Sequence, residues 1–243
     1  MIEKLTNFGP IVVINLESRP DRKDYIAKLF AEAAISDYKF FKAIRGEDVT
    51  SGVHEMSPGE IGCSMSHLTV LKNWLESEST GELLVVVEDD ISFDAVKHWR
   101  WTWQEVLDTI SFKFEILHLS APTLHIERPS EFKIKRIEPE DNAHITTCYA
   151  ITKEGAQKVV DKYMLNGELR FDVDNADNIA DHDLLYKSVD FAYMLPIFTP
   201  SGKFGTDINP EPWKVEYLEQ IKYHTEWLLE NCNLTLSNIL DLP

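Results

Sequence analysis

The chain has 243 residues, 44% hydrophobic and 11% aromatic, which suffices for one sizeable domain with a packed core. Its 41 acidic residues against 24 basic ones leave a formal charge of -17. That balance opposes the wrapping of nucleic acid and loose docking on an anionic membrane, both of which need clustered Lys and Arg. It leaves room for a small anionic ligand, because a metal ion or a few local arginines reverse the sign inside a cleft. Cys63, Cys148 and Cys232 lie far apart with no C-x-x-C pair, so they are expected to be free thiols in a reducing compartment, with no structural zinc. The N-terminus lacks a signal-peptide h-region, and no apolar run is long enough to span a bilayer. The expectation is a cytoplasmic protein without stable membrane insertion.

In chain order, Pro10 to Leu16 predicts a first strand with Ile11, Val12, Val13 and Ile14 as its core. Pro20 opens a helix to about Glu32. Tyr38 to Ile44 predicts a second strand, and Arg45 to Met56 a polar loop. Ser57-Pro58-Gly59-Glu60 has the form of a capping box starting a helix to about Glu76. On that helix Ile61, Met65, Leu68, Lys72 and Leu75 share one face, and Cys63, His67, Val70 and Trp74 share the other. A helix apolar on two sides lies between layers, which places His67 away from open surface. Next come the Leu83 strand, a helix over about Asp94 to Ile110, and a strand from Glu115 to Leu119. Pro122 to Asn142 predicts loops with a hairpin, and His144 to Ile151 a strand. Thr152 caps a helix through Tyr163, and a Gly/Asp/Asn-rich loop spans Asn166 to Asp177. Ile179 to Lys187 predicts a short helix, and Phe191 to Leu195 a late strand ending at Pro196. Ile197 to Pro212 predicts a flexible loop that closes over a ligand, with Gly202 and Gly205 as hinges. Glu211 to Glu230 predicts an amphipathic helix. Strands alternating with helices argue for an α/β fold in one domain, core about 10–200 and a C-terminal loop and helix after it.

The run Leu83-Leu84-Val85-Val86-Val87-Glu88-Asp89-Asp90 carries the strongest chemical signal. Its apolar part suits a strand buried on both faces. Three adjacent carboxylates repel one another unless a cation lies among them, and a hard divalent ion such as Mg²⁺ or Mn²⁺ suits oxygen donors. In open α/β sheets the ligand crevice lies beyond the carboxyl ends of the strands. A solvated acidic turn is the alternative. After the first strand, Asn15-Leu16-Glu17-Ser18-Arg19-Pro20-Asp21-Arg22 leads into a helix N-terminus with two arginines, which suits an anion. It lacks the glycines of a P-loop, and a solvated first turn with Asp21–Arg pairs is the competing reading. Cys63 one turn before His67 suggests a thiol–imidazole pair. Hydrolytic pairs do not usually share one helix face, so a packing histidine is preferred. Asp172/Asp174 mimics a D-x-D motif. Asp181 and Asp183 precede the apolar Leu184-Leu185, where a carboxylate can reach a cleft as a general base.

Five segments in order resemble glycosyltransferase family 25, which contains lipooligosaccharide β-galactosyltransferases (lipopolysaccharide biosynthesis) and procollagen galactosyltransferase domains. They are Ile14-Asn15-Leu16 with Arg19, Asp21 and Arg22; Phe41-Lys42-Ala43-Ile44 with Gly46; Gly59-Glu60-Ile61-Gly62-Cys63 with Ser66-His67; Val87-Glu88-Asp89-Asp90; and Thr147-Cys148-Tyr149-Ala150-Ile151 with Gly155-Ala156. The resemblance covers roughly residues 10 to 200. It implies a GT-A-like, Rossmann-type mixed sheet flanked by helices and an inverting transfer of a hexose from a UDP-sugar to a glycan or other hydroxyl acceptor. It also implies Mn²⁺ or Mg²⁺ at Glu88, Asp89 and Asp90. Asn15, Leu16, Arg19 and Arg22 would hold nucleoside and phosphates, Ser66 and His67 would line the donor pocket, and Asp181 or Asp183 would take the proton. The sequence around Asp181 departs from the commonest family form, which leaves the base open. A non-catalytic nucleotide-sugar or glycan binder and a metal-dependent phosphodiesterase are the rival classes.

Overall fold

The computed structural model describes residues 2–49, 54–78, 81–120, 132–138, 146–165, 168–169, 180–205, 207, 213–232 and 235–240, with backbone course alone at 2, 164–165, 168–169, 181–183 and 213–217. The strands are β1 (Ile11–Asn15), β2 (Tyr38–Lys42), β3 (Leu83–Glu88), β4 (Ile91–Ser92), β5 (Ile116–Ser120), β6 (Lys135–Arg136), β7 (Cys148–Thr152), β8 (Met164–Leu165), β9 (Glu168–Leu169) and β10 (Ala192–Pro200). All but the β8–β9 pair join one open mixed sheet in the order β2-β1-β3-β7-β5-β10-β4, with β6 also on β10. β1 is parallel to β2 and β3, β5 is parallel to β10, and β7 lies antiparallel between β3 and β5. The carboxyl ends of five strands therefore share one edge, together with the start of β7.

Helices α1 (Pro20–Glu32), α2 (Gly46–Val49), α3 (Pro58–Leu75), α4 (Trp103–Thr109), α5 (Lys153–Tyr163), α6 (Trp213–Asn231) and α7 (Leu236–Ile239) surround the sheet. Strand alternation sorts the core into two layers. Val12, Ile14, Leu84 and Val86 face α3 and α5, against Leu68, Leu71, Trp74 and Val159. Ile11, Val13, Val85 and Val87 face α1, α4 and the chain end, against Ile26, Phe30, Trp103 and Trp227. Each such aliphatic side chain contributes about 1.5–3 kcal/mol on burial. No helix among the described residues is long and apolar enough to cross a membrane.

α3 begins as its sequence predicts. Ser57 Oγ accepts from the Glu60 N–H, and the Glu60 carboxylate accepts from the Ser57 N–H at 2.7 Å. Both faces of the helix are covered, and His67 is fully buried. Two glycines allow its first turns to lie directly on the loop after β2. A Cβ at Gly62 would sit 2.5 Å from the Ile44 carbonyl, and one at Gly46 would sit 2.0 Å from the Pro58 carbonyl. Both obstacles are backbone, so relief requires moving α3 and the loop after β2 apart. Gly62→Ala is expected to lower stability by about 1–3 kcal/mol in urea denaturation; an unchanged midpoint would contradict this close packing.

Several sequence expectations are corrected. The helix over Asp94 to Ile110 is broken into a 3₁₀ turn at Val96–His98 and α4, because Thr102 and Glu105 form a second capping box and Trp99 stacks on Trp101. The late strand does not stop at Pro196 but continues to Pro200, so the loop expected from Ile197 begins only after it. Register shifts between Met194 and Phe198, and proline is tolerated at such an irregularity. Ile179 to Lys187 contains a π-helical turn, Ala180–Leu185, followed by a 3₁₀ turn, Tyr186–Ser188. The Arg45 to Met56 loop contains α2. β6 pairs with distant β10. Most of Pro122 to Asn142, and the expected loop from Asn166 to Asp177 save Glu168–Leu169, lie outside the described residues.

Candidate active site

The register of the sheet builds the site. Ile14 on β1 pairs with Glu88 on β3, so Asn15 and Asp89 follow side by side at the carboxyl edge. A cavity of about 410 Å³ opens there, lined by Leu16, Arg22, Ser66, His67, Glu88 and Asp90 among others. The turns after β1, β2 and β3 and the start of α3 form its walls, in the crevice position expected of an open α/β sheet.

The three acids of the β3 terminus have three different environments. Glu88 is half-buried; its Oε1 accepts from Thr146 Oγ1 and lies 3.2 Å from His67 Nε2. The opposite nitrogen of His67 lies 3.0 Å from Tyr149 Oη. Burial and the Glu88 charge push the Tyr149 phenol well up, so it stays protonated. Asp89 is engaged on both oxygens: one accepts from Asn15 at 2.7 Å and the other from Arg22 at 2.8 Å, all three residues being buried. Burial raises its pKa, and the Arg22 and Asn15 hydrogen bonds oppose the rise. Asp90 is the exception. Its Oδ1 is buried without a hydrogen-bond partner among the described residues, and its Oδ2 lies 4.0 Å from Arg22. Burial, reinforced by repulsion from Glu88, pushes its carboxyl up to about 8. An orphaned, buried carboxylate oxygen at a cavity wall, beside a second carboxylate, has the chemistry of a cation ligand.

The arginines also divide. Arg22 is buried and binds Asp89, Asp207 at 3.0 Å and the Gly205 carbonyl at 2.8 Å. Arg19 is partly exposed and pairs with Asp21 and Asp207. The Phe204 ring lies under both guanidinium groups at 5.9 and 5.7 Å. Ser66 Oγ donates to the Gly62 carbonyl and accepts from the Ile44 N–H, so it ties α3 to the loop after β2. The structure thus brings Asn15, Leu16, Arg22, Ser66, His67, Glu88, Asp89 and Asp90 together, with Arg19 at the rim. Asp181 and Asp183 lie on the π-helical turn, and their side chains, like Asp172 and Asp174, fall outside the described residues. Sequence reasoning missed Thr146, Tyr149 as a partner of His67, and Asp207. Thr146 lies within the predicted His144–Ile151 strand, directly before Thr147 of the motif; nothing local marks Asp207.

The model of glycosyltransferase family 25 (LPS biosynthesis protein) matches residues 8–176. Procollagen galactosyltransferase 2 of Mus musculus is 29% identical over 174 residues, 63% of this chain and 27% of that protein. A putative glycosyltransferase of Acanthamoeba polyphaga mimivirus is 37% identical over 94 residues, 34% of this chain and 29% of that protein. The chain thus spans less than a third of the length of these relatives. A solved glycosyltransferase involved in glycosylation of the major capsid of PBCV-1 aligns over 88% of this chain and 98% of its own, at 7% identity and a TM-score of 0.45.

Proposed function

The chain belongs to glycosyltransferase family 25, and from that membership we propose that it moves a hexose, galactose first among the candidates, from a UDP-sugar to a hydroxyl of a glycan or other acceptor. On this reading residues 1–243 form one catalytic domain, transfer inverts the anomeric carbon, and a divalent cation, Mn²⁺ or Mg²⁺, takes part. The observation that carries it is Asp90 Oδ1, buried and unpartnered on the cavity wall next to Glu88. Asp90 and Glu88 would hold the cation; Asp89, spent on Arg22 and Asn15, would fix the strand end that presents them. When bound, the cation would neutralise charge developing on the departing diphosphate.

The chain's own groups supply the rest. The cavity over the β1 and β3 ends takes the nucleotide, with Leu16 on its wall and Asn15 behind it on Asp89. Arg19 is the cation best placed to meet a phosphate, since its partners are partly exposed carboxylates. A single in-line displacement requires a base on the acceptor side, for which Asp181 or Asp183 are the candidates. Asp207 occupies the arginines where a phosphate would compete for them, so Asp207→Asn is expected to tighten UDP binding about two- to fivefold by calorimetry. Weaker binding would instead make Asp207 a donor-side ligand.

The activity is tested by incubating the chain with UDP-galactose and other UDP-sugars, with and without Mn²⁺, and identifying the nucleotide released. Release of UDP that depends on the cation is expected. Release of UMP would identify a phosphodiesterase, and binding without turnover toward any hydroxyl acceptor a non-catalytic binder.

A further inference from the structure

We infer that Cys63, His67 and Glu88 form a second cation site, for a thiophilic divalent ion of the zinc class, in the wall of the same cavity. One sulfur, one imidazole nitrogen and one carboxylate oxygen lie within 4.8 Å of one another. Tetrahedral zinc with bonds of about 2.0–2.3 Å spaces its donors about 3.5 Å apart, so closure needs a contraction of about 1 Å. Rotation of the Cys63 and Glu88 side chains toward the fixed imidazole can supply it. Cys63 and His67 stand four residues apart on α3 and therefore on one face. His67 is fully buried and held from behind by Tyr149, the outer partner that ligating imidazoles characteristically have; Glu88 is held likewise by Thr146. Three protein donors leave a fourth position open toward the cavity, which Cys63 and His67 both line.

The donor set separates this site from the one assigned to Asp90. A thiolate and an imidazole select zinc, cobalt or cadmium over Mg²⁺ and Mn²⁺, whereas carboxylates do the reverse. Binding sends the Cys63 thiol proton to solvent. The His67 ring would donate from Nδ1 to the Tyr149 oxygen and turn Nε2 to the metal. Cys148 and Cys232 are buried, and among the described residues neither belongs to a cluster of this kind. Because Glu88 belongs to both sites, zinc here draws it from the hard cation and closes part of the donor cavity. Zinc inhibition of turnover follows from the proposed function; the site itself does not depend on it.

The test is a titration of the full chain with Co²⁺, followed by its thiolate-to-metal charge-transfer band and by displacement with Zn²⁺. One equivalent with such a band is expected. The band should vanish in Cys63→Ser, require about tenfold more metal in Tyr149→Phe, and persist in Asp90→Asn, which separates failure here from failure of the hard-cation reading. No band in the native chain, or an undiminished band in Cys63→Ser, would overturn the inference. A measurement on the native chain guards against a misfolded variant: Zn²⁺ should slow alkylation of Cys63, read by peptide mass spectrometry, and Mg²⁺ should not. Equal rates with both ions would overturn it as well.

Discussion

Asp90→Asn is expected to lower cation-dependent sugar release from UDP-galactose by about 10²–10³-fold while the chain stays folded. The substitution keeps the shape and removes the charge that a divalent ion needs. It also removes a cost, since the native carboxylate is buried with an unpartnered oxygen beside Glu88. The pH dependence follows in sign. The folded carboxyl titrates near 8 against an ordinary 3.8, so the folded state holds a proton that the unfolded state has released. The stability this group contributes is complete below about pH 4 and lost as pH rises through about 8. Thermal melts of the metal-free chain should therefore show a declining midpoint over that window, flattened in Asp90→Asn. Mn²⁺ with UDP should restore stability at the alkaline end in the native chain alone. Normal cation-dependent turnover by the variant would remove Asp90 from the site.

Arg22→Ala is expected to cost about 3–5 kcal/mol in urea denaturation, because it strands the buried Asp89 carboxylate without its cation. Arg22 also anchors the Gly205 carbonyl and Asp207, so the segment after β10 loses its buried polar attachment to α1 and keeps the Tyr25–Phe204 contact. Asp89→Asn in the same chain should recover part of the loss, since the uncompensated charge is gone, and the non-additivity of the two changes measures their coupling. Arg19→Ala should cost less than about 1 kcal/mol, because its partners Asp21 and Asp207 are well hydrated. Its effect should fall on UDP affinity. A small stability loss in Arg22→Ala would contradict the view that the Arg22–Asp89 pair joins β3 to α1.

Local chemistry made much of this protein legible. A β-branched run, a capping box and Pro20 each specify their own element, and β3, α3 and α1 lie where those signals put them. The acids at the β3 end, the turn after β1 and the α3 glycines meet in one cavity because a parallel β1–β3 pairing aligns their ends. What the sequence hid is non-local. Nothing near Glu88 announces Thr146, 58 positions away, and nothing near Arg22 announces Asp207 or Gly205. Three consecutive acids read as one cluster in the sequence, and the pleat gives each its own neighbours, Asp89 bonding Asn15 and Arg22. Pro196 marked a strand end by composition, although a register shift absorbs it.

The most direct measurement is anomalous diffraction at the manganese edge from crystals grown with Mn²⁺ and UDP. A single strong peak within bonding distance of Asp90 Oδ1 and a diphosphate oxygen is predicted. UDP ordered in the cavity with manganese bound elsewhere, or with none, would contradict the account.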